Sequence, residues 1–516
     1  MHTNDQLGPT TARKLSIAIT SVMAALVIAG CTTGPTYHRP FIEIPPTFKQ
    51  AHLTSSDESA SWQPAHPSDH VIRGEWWRHF NDETLTALEQ QALEHNQTLH
   101  AAAARVKQAR ALLGKADAAR LPDIDAGFGP SRQRPSPASQ GLSDHAPSEA
   151  STLWRAQLGI HYEADVFGRV ASTINEAHAN AQQQEALYRS VLLALQADVA
   201  LAYFNIRELE ADLGVYRTTV TSREETLKLI QHRYNAGDVG ELDVARAITE
   251  LESAQAQALD IERRRTLAEH ALAVLVGQSP STFNVTALPL TKVDIVIPAG
   301  LPSSLLERRP DIAAAERAMA AANARVGVAH AAFFPRLSLT GSAGFESSEL
   351  SNVFEWSTRT FLLGPIIGAA LSIPLFDGGR RDAELTRAQA AYEEDVALYR
   401  ETVLKAFRDV EDNLANLRLL SRQLSAQNAA LNAAQRAAYM SHVQYKEGSI
   451  SYIDVIETDR TVLAQQSMVV RLHGAHIRST INLIRALGGG WDTPLPPHLI
   501  TPSHQTLAIS QSSMAQ

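Results

Sequence analysis

Apolar residues recur along this chain with two different periods. Leu192, Leu195, Val199, Ala202, Ile206, Leu209 and Leu213 advance in steps of three and four, and Tyr216, Val220, Leu227, Ile230 and Tyr234 carry the rhythm on. Arg223 is its one polar break. Val403, Phe407, Val410, Leu414, Leu417, Leu424 and Leu431 form a second such series. Ile456, Leu463, Val470, Ile477 and Ile484 then follow seven apart, with Val455, Val462 and Val469 beside them. A sustained step of about 3.5 residues is coiled-coil geometry. Neither 171–279 nor the stretch between Pro374 and Pro494 contains proline. Long helices are therefore expected over about 167–233, 239–276, 379–446 and 452–487. The first would be roughly 100 Å long at 1.5 Å per residue, far beyond an ordinary globular helix.

The second period is two. Trp154, Ala156, Leu158, Ile160 and Tyr162 alternate with Arg155, Gln157, Gly159 and His161. Ile124, Ala126 and Phe128 alternate with Asp123, Asp125 and Gly127, and Leu337, Leu339, Ala343 and Phe345 with Ser338, Thr340, Ser342 and Gly344. These patterns predict strands over about 121–133, 151–163 and 335–346 with one apolar face. A fourth segment, 361–375, is apolar but irregular, with Pro365 and Gly368 inside it. Polar linkers, about 132–150 and 347–359, join the strands in pairs. Such lengths suit a membrane β-barrel. Four strands cannot close one with a lumen, so other subunits must cover the edges.

The plan of the chain is written twice. Tyr234-Asn235-Ala236-Gly237 is echoed by Tyr445-Lys446-Glu447-Gly448, Asp243-Val244 by Asp454-Val455 and Gly168-Arg169 by Gly379-Arg380, all at an offset of 211. Pro122 and Pro335 match at 213. Each half reads helix, strand, loop, strand, long helix, turn, long helix. The first repeat spans 76–279 and the second 280–491. The duplication suggests pseudo-symmetry about a shared axis, three subunits giving six similar units.

Composition narrows the class. A net charge of -9 gives no reason to expect nucleic acid. Cys31 is the single cysteine, so no disulfide can form within the chain. It follows Arg13 and Lys14, then apolar runs Leu15 to Ile19 and Val22 to Ala29. Leu26-Val27-Ile28-Ala29-Gly30-Cys31 resembles a bacterial lipobox. The resemblance implies a signal peptide over 1–30 and a covalent lipid on Cys31; Thr32, rather than Asp, implies release to the outer membrane. Residues 31–75 read as a lipidated leader without its own core, and 492–516 as a loose tail.

Together the motifs resemble outer-membrane efflux proteins of the TolC/OprM type, in the NodT-like lipoprotein branch. The resemblance rests on Tyr37-His38-Arg39-Pro40, on Trp76-Trp77 with Phe80-Asn81-Asp82, and on Ala101-Ala102-Ala103-Ala104-Arg105-Val106. It continues through Tyr162-Glu163-Ala164-Asp165-Val166-Phe167-Gly168-Arg169, Arg309-Pro310-Asp311-Ile312 and Ala331-Ala332-Phe333-Phe334-Pro335. Ser372-Ile373-Pro374-Leu375-Phe376-Asp377-Gly378-Gly379-Arg380 and Leu487-Gly488-Gly489-Gly490-Trp491 complete it. It implies a mixed fold of membrane β-barrel and long coiled-coil helices. Three protomers would form a homotrimer with a twelve-stranded barrel. The implied partners are a periplasmic adaptor (membrane fusion) protein, an inner-membrane transporter of the RND or a related type, and outer-membrane lipid. The implied role is passive exit of small toxic compounds or drugs.

No catalytic constellation, zinc spacing or phosphate loop occurs. Gly168, Arg169, Gly378, Gly379 and Arg380 read as strand–helix junctions. His473 and His476, three apart, read as surface or tunnel-wall histidines rather than a metal pair. A channel needs a constriction instead. By resemblance, Asp454 and Glu457, on one helical face, lie where acidic rings line the closed tip, with Asp243 at the matching turn. Gly237, Asp238, Glu241, Gly448 and Ser449 are the expected tip turns and adaptor-docking knobs. Asp459 and Arg460 are candidates for a tip salt-bridge network. Where TolC itself carries a gating arginine, this chain has Ile450. Two other readings are a duct for type I protein secretion and a coiled-coil lipoprotein without a pore.

Overall fold

The computed structural model describes residues 34–50, 74–141, 143, 147, 149–288, 290, 305, 306, 308–363 and 369–489. The expected lipid site at Cys31, the expected signal peptide over 1–30, Trp491 and the expected tail lie outside them. The chain packs as two compact units. One takes in Arg105–Glu185, Ala314–Arg400 and the described residues up to Phe41; the other takes in Ala186–Ala313 and the described parts of 42–104 and 401–516.

The α-helices among the described residues include α1 Glu83–His95, α2 Gln97–Ala118, α3 Arg169–Asn235, α4 Glu241–Leu275, α5 Pro310–Ala331, α6 Arg380–Lys446 and α7 Tyr452–Ala486. Their lengths match in pairs. α2 and α5 have 22 residues each, α3 and α6 have 67, and α4 and α7 have 35. All four long helices stop in the same way. Gly237, Gly277, Gly448 and Gly488 have φ of 82°, 72°, 76° and 84°. After each, an amide reaches back to close a Schellman turn; Asp238 N donates to Arg233 O at 2.9 Å and Ser449 N to Gln444 O at 2.9 Å. Glycine is needed because a side chain resists that backbone region.

The second unit is built on a core that begins with a 3-10 turn, Trp76–Phe80. Trp76 and Trp77 are buried and meet edge to face at 5.9 Å. Asn81 is left-handed at φ 51°, which turns the chain so that Asp82 caps α1, accepting from Leu85 N at 3.0 Å. Tyr203 of α3 donates its hydroxyl to the other Asp82 oxygen. Leu85 and Leu88 then pack with Tyr203, Phe204 and Ile206 of α3 and with Ile477, Ile481 and Ile484 of α7. α3 is the one described helix long and apolar enough to cross a membrane. Its apolar stripe is instead buried here: Ala197, Val199, Ala200 and Ile206 are fully covered.

Charge pairs run beside this core. Asp198 meets Arg485 at 3.2 Å, Glu208 meets Arg478, and Asp212 meets Arg471 at 3.6 Å. The three arginines stand seven apart, each directly after an apolar heptad residue (Val470, Ile477 or Ile484), so one edge of the seam on α7 is cationic. The surrounding burial still lifts the Glu208 carboxyl above its ordinary range, against the opposing pull of Arg478.

The first unit carries the sheet: β1 Asp123–Gln133, β2 Ser151–Ala164, β3 Arg336–Ser347, β4 Arg359–Leu363 and β5 Ala369–Ser372. All pairings are antiparallel, in the order β1-β2-β3, with β4 and β5 sharing the far side of β3. The strand expected over 361–375 thus begins earlier and is divided. β4 ends at Leu363 opposite Gly341, and β5 starts at Ala369 opposite Leu339. Residues 364–368, Pro365 among them, lie outside the described residues.

Register fixes the two faces. Ile124 pairs with Ile160, Phe128 with Ala156, Leu158 with Ala343, Tyr162 with Leu339 and Ala343 with Phe361. These make one face apolar over most of the sheet, up to Arg132, Thr152 and Arg359 at one end. It is also exposed: Ile124, Phe128, Leu158, Leu339, Phe361 and Leu371 are all open, Phe361 at 75%. The opposite face is mostly polar, with Asp125, Gln157, His161, Thr340 and Ser342, and Arg155 is paired there with Glu346 at 2.8 Å. Gly344 lies over the Ala156 backbone, where a Cβ would collide. A sheet in a water-soluble domain is built the other way round, with its apolar face covered.

Candidate functional site

The turns at 236–240 and 447–451 end the two long helix pairs. In the second unit they pack around one small core: Ile230, Ala247, Tyr452, Val455 and Ile456, flanked by Val239, Val244, Tyr445 and Ile450. Ile450, where the resemblance puts a gating arginine, is therefore an apolar contact. The Tyr445 and Tyr452 rings meet at a tilt, 5.8 Å apart, and the Arg233 guanidinium lies 5.2 Å above the Tyr445 ring. Burial, then the nearby Glu250 carboxylate, pushes the Tyr452 phenol up to about 12.

The expected acids do not share one environment. Asp454 is exposed, but one of its oxygens accepts from Ser451 N at 2.9 Å and Ser451 Oγ at 2.8 Å. It is the third residue of α7 and helps cap it, as a capping box does. Glu457, one turn later, is exposed. Asp243 accepts from Arg246 at 3.2 Å within the first turn of α4. Glu241 joins it there as a first-turn acid, favourable at a helix N-terminus. Gly237, Asp238, Gly448 and Ser449 are exposed at the turn tips.

Asp459 and Arg460, adjacent in sequence, have different partners. Asp459 pairs with His442 of α6 at 2.9 Å. Arg460 reaches α4 instead, where its Nε donates to Glu250 at 2.8 Å. Glu250 is buried at 5% exposure and also holds Arg223 of α3 at 2.8 Å. Glu250, then the Glu457 charge, hold the Arg460 guanidinium above its usual range against the effect of burial. One carboxylate thus ties α3, α4 and α7 together. Sequence reading missed Glu250, yet its partner Arg223 had marked itself as the polar break in an apolar series.

At the strand–helix junctions, Gly168, Gly378 and Gly379 have φ of 78°, 66° and 88°. Arg169 makes a two-pronged pair with Glu163, both bonds at 2.7 Å. Asp165 accepts from Val170 N and Ala171 N, capping α3. In the second half Arg381, rather than Arg380, does the pairing, donating to Asp377 at 2.6 Å. The Arg309-Pro310-Asp311 motif also acts as a clamp. Arg309 pairs with Asp311 at 2.6 Å and Asp409 at 3.4 Å, beside a cavity of ≈ 490 Å³ that Arg408, Asp412 and Arg485 also line. His476 lies 3.4 Å from Ser421, and among the described residues no group of three or more His, Cys, Asp or Glu could hold a metal ion.

The profile of the family described as "Outer membrane efflux protein" matches residues 88–278 and 301–489. The chain belongs to that family. It is 34% identical over 473 residues to the solvent efflux pump outer membrane protein SrpC of Pseudomonas putida, covering 91% of this chain and 97% of that one. It is 32% identical over 483 residues to outer membrane protein OprJ of Pseudomonas aeruginosa, covering 93% and 97%. Its fold matches the solved outer-membrane channel OprN with a TM-score of 0.80 at 28% identity, over 89% of this chain and 100% of the other. As a member of the outer membrane efflux protein family, the protein is an outer-membrane transport component and not an enzyme. The apolar, uncovered face of its sheet is what that location requires.

Proposed function

We propose that three copies of this chain form the outer-membrane exit duct of a tripartite efflux pump. The observation that carries this reading is the sheet: one face is apolar and exposed apart from a polar end at Arg132, Thr152 and Arg359, and among the described residues β1 and β4/β5 have no strand neighbour on their outer sides. In lipid every backbone group must be paired, so the sheet has to be completed by copies of itself. Three sets of four strand positions, β4 and β5 sharing one, give a twelve-stranded barrel. The polar face, bearing Asp125, Gln157 and His161, lines its lumen. The equal helix lengths support reading 76–279 and 280–491 as two repeats, so that three chains present six similar units.

In this reading Asp454 and Glu457 form an acidic constriction at the periplasmic tip, with Asp243 at the matching turn. The Arg460–Glu250–Arg223 cluster holds the tip closed. The turns at Gly237, Asp238, Glu241, Gly448 and Ser449 are the docking knobs for a periplasmic adaptor, which connects to an inner-membrane transporter of the RND or a related type. The cargo is small toxic compounds or drugs; SrpC, the relative named for solvent efflux, supports that class. Cys31 carries the lipid anchor. Planar-bilayer recording tests the gate. An Asp454→Ala/Glu457→Ala double variant should conduct more and prefer cations less; unchanged current and selectivity would reject the constriction.

A further inference from the structure

We propose that Arg132 and Arg359 bind the phosphate groups of outer-leaflet glycolipid at the joints between protomers. The inference rests on the barrel reading above. Both arginines lie on the apolar face of the sheet. Arg132 follows Ile124, Ala126, Phe128 and Pro130 at period two and pairs with Thr152, and Arg359 pairs with Phe345. Both are exposed. Both stand towards the end of the sheet away from the helices, since α2 and α5 lead into Asp123 and Arg336 at the opposite end.

Their chemistry there is unusual. On the polar face, Arg155 is neutralised by Glu346. On the apolar face, neither Arg132 nor Arg359 forms an ion pair among the described residues. Among the described residues Arg132 donates to Thr152 Oγ1 at 3.4 Å. Arg359 donates Nε to Trp356 O at 2.7 Å, with its guanidinium over the Trp356 ring. Of the acids in the same loop, Glu349 accepts from Asn352 and Glu355 does not reach Arg359. A charge facing lipid is costly at mid-bilayer but cheap at the interface. The aromatic residues place that interface here: Phe128 stacks on Trp154 at 6.1 Å and on Phe354 at 6.4 Å, with Trp356 exposed beside them. Unpaired guanidinium groups just outside an aromatic girdle suit an anionic, multidentate oxygen ligand.

The two arginines lie on opposite edge strands, β1 and β4. Within one protomer two strands separate them. Closing the barrel sets β1 of one copy against the β4/β5 edge of the next, which brings Arg132 and the next copy's Arg359 to the same joint. The site is therefore complete only in the assembled barrel, and a ligand bearing two phosphates can bridge it. Bound there, it would tie adjacent protomers together from the lipid side.

The test uses purified, detergent-solubilised full-length trimer titrated with bisphosphorylated lipid A, dephosphorylated lipid A and phosphatidylglycerol, read by native mass spectrometry and heat dissociation of the trimer. The wild type should bind bisphosphorylated lipid A and dissociate at a higher temperature with it. Arg132→Gln/Arg359→Gln should bind it roughly 25-fold more weakly, about fivefold per arginine, and lose the thermal shift. Equal binding by wild type and variant, or wild-type binding of phosphatidylglycerol as tight as of lipid A, would overturn the proposal. A variant trimer that conducts normally shows that the barrel survives the substitutions. If the wild type forms no heat-dissociable trimer, the barrel reading itself has failed, which is a separate result.

Discussion

Arg460 near the start of α7 closes on Glu250, a carboxylate 210 residues earlier in the chain that already holds Arg223. The two cations are not equivalent: the Arg460 side chain is 57% exposed and that of Arg223 only 14%. Removing an exposed partner costs less than about 1 kcal/mol, because water replaces it. Removing the charge they share leaves a half-buried guanidinium short of a bond, about 1–3 kcal/mol. Glu250→Gln should therefore lower the unfolding temperature clearly more than Arg460→Ala, and both should raise single-channel conductance. Equal thermal shifts would mean that Glu250 is effectively solvated.

Glu89 supplies a pH-dependent prediction. It lies on the buried face of α1 with Leu85, Leu88 and Ala92. Neither carboxylate oxygen has a hydrogen-bond partner among the described residues. Burial pushes its carboxyl well above the ordinary range. Between the ordinary carboxyl pKa and that raised value the folded chain holds a proton the unfolded chain has lost. Stability therefore falls as pH rises through this window. Glu89→Gln should melt above the wild type at pH 7.5, and the two curves should converge towards pH 4. A variant that is less stable at both pH values would show that the carboxylate has a partner to lose.

The faces of the sheet can be separated by one pair of neighbours. Leu158 is on the apolar face in the row of Ala126, Ala343 and Phe361, and Gln157 is on the polar face. Leu158→Arg should destabilise the membrane-inserted protein by about 2–4 kcal/mol, whereas Gln157→Arg should cost little and shift ion selectivity towards anions. Denaturant unfolding from vesicles gives the first quantity and reversal potentials the second. Comparable losses from both would mean that the face assignment is wrong.

Gly448, at φ 76°, ends α6. Gly448→Ala should cost about 1 kcal/mol by forcing a side chain into the left-handed region, while Ser449→Ala, one residue on, should be near neutral. Thermal melts of the two variants provide the comparison.

Much of this was legible in the sequence because it repeats. Heptads marked three of the four long helices and a proline-free stretch the other, Gly237 and Gly448 marked two of their ends, and period-two alternation the faces of β1, β2 and β3. What stayed hidden depended on choice of partner. Asp459 and Arg460 are neighbours in sequence, but α7 turns them by about 100° per residue towards different helices. Asp454 reads as one of a pair with Glu457 by spacing, yet Ser451 three residues before it engages its carboxylate as a cap. The different registers of β4 and β5 depend on β3, which composition does not encode.

The paired helices start 211 residues apart over α3/α6 and α4/α7, but 213 apart over α2/α5 and β1/β3. The two extra residues of the first half therefore sit between the start of β1 and the start of α3. One residue added inside α3 would rotate every later heptad position by about 100° and slide it 1.5 Å along the axis. The same residue added between β1 and β2, or between β3 and β4, would only lengthen a turn. The chain thus has two kinds of length: a strict one along the helices and a slack one at the strand-connecting loops. Inserted epitopes or tags belong in the slack at 134–150, where the first half is longer than the second.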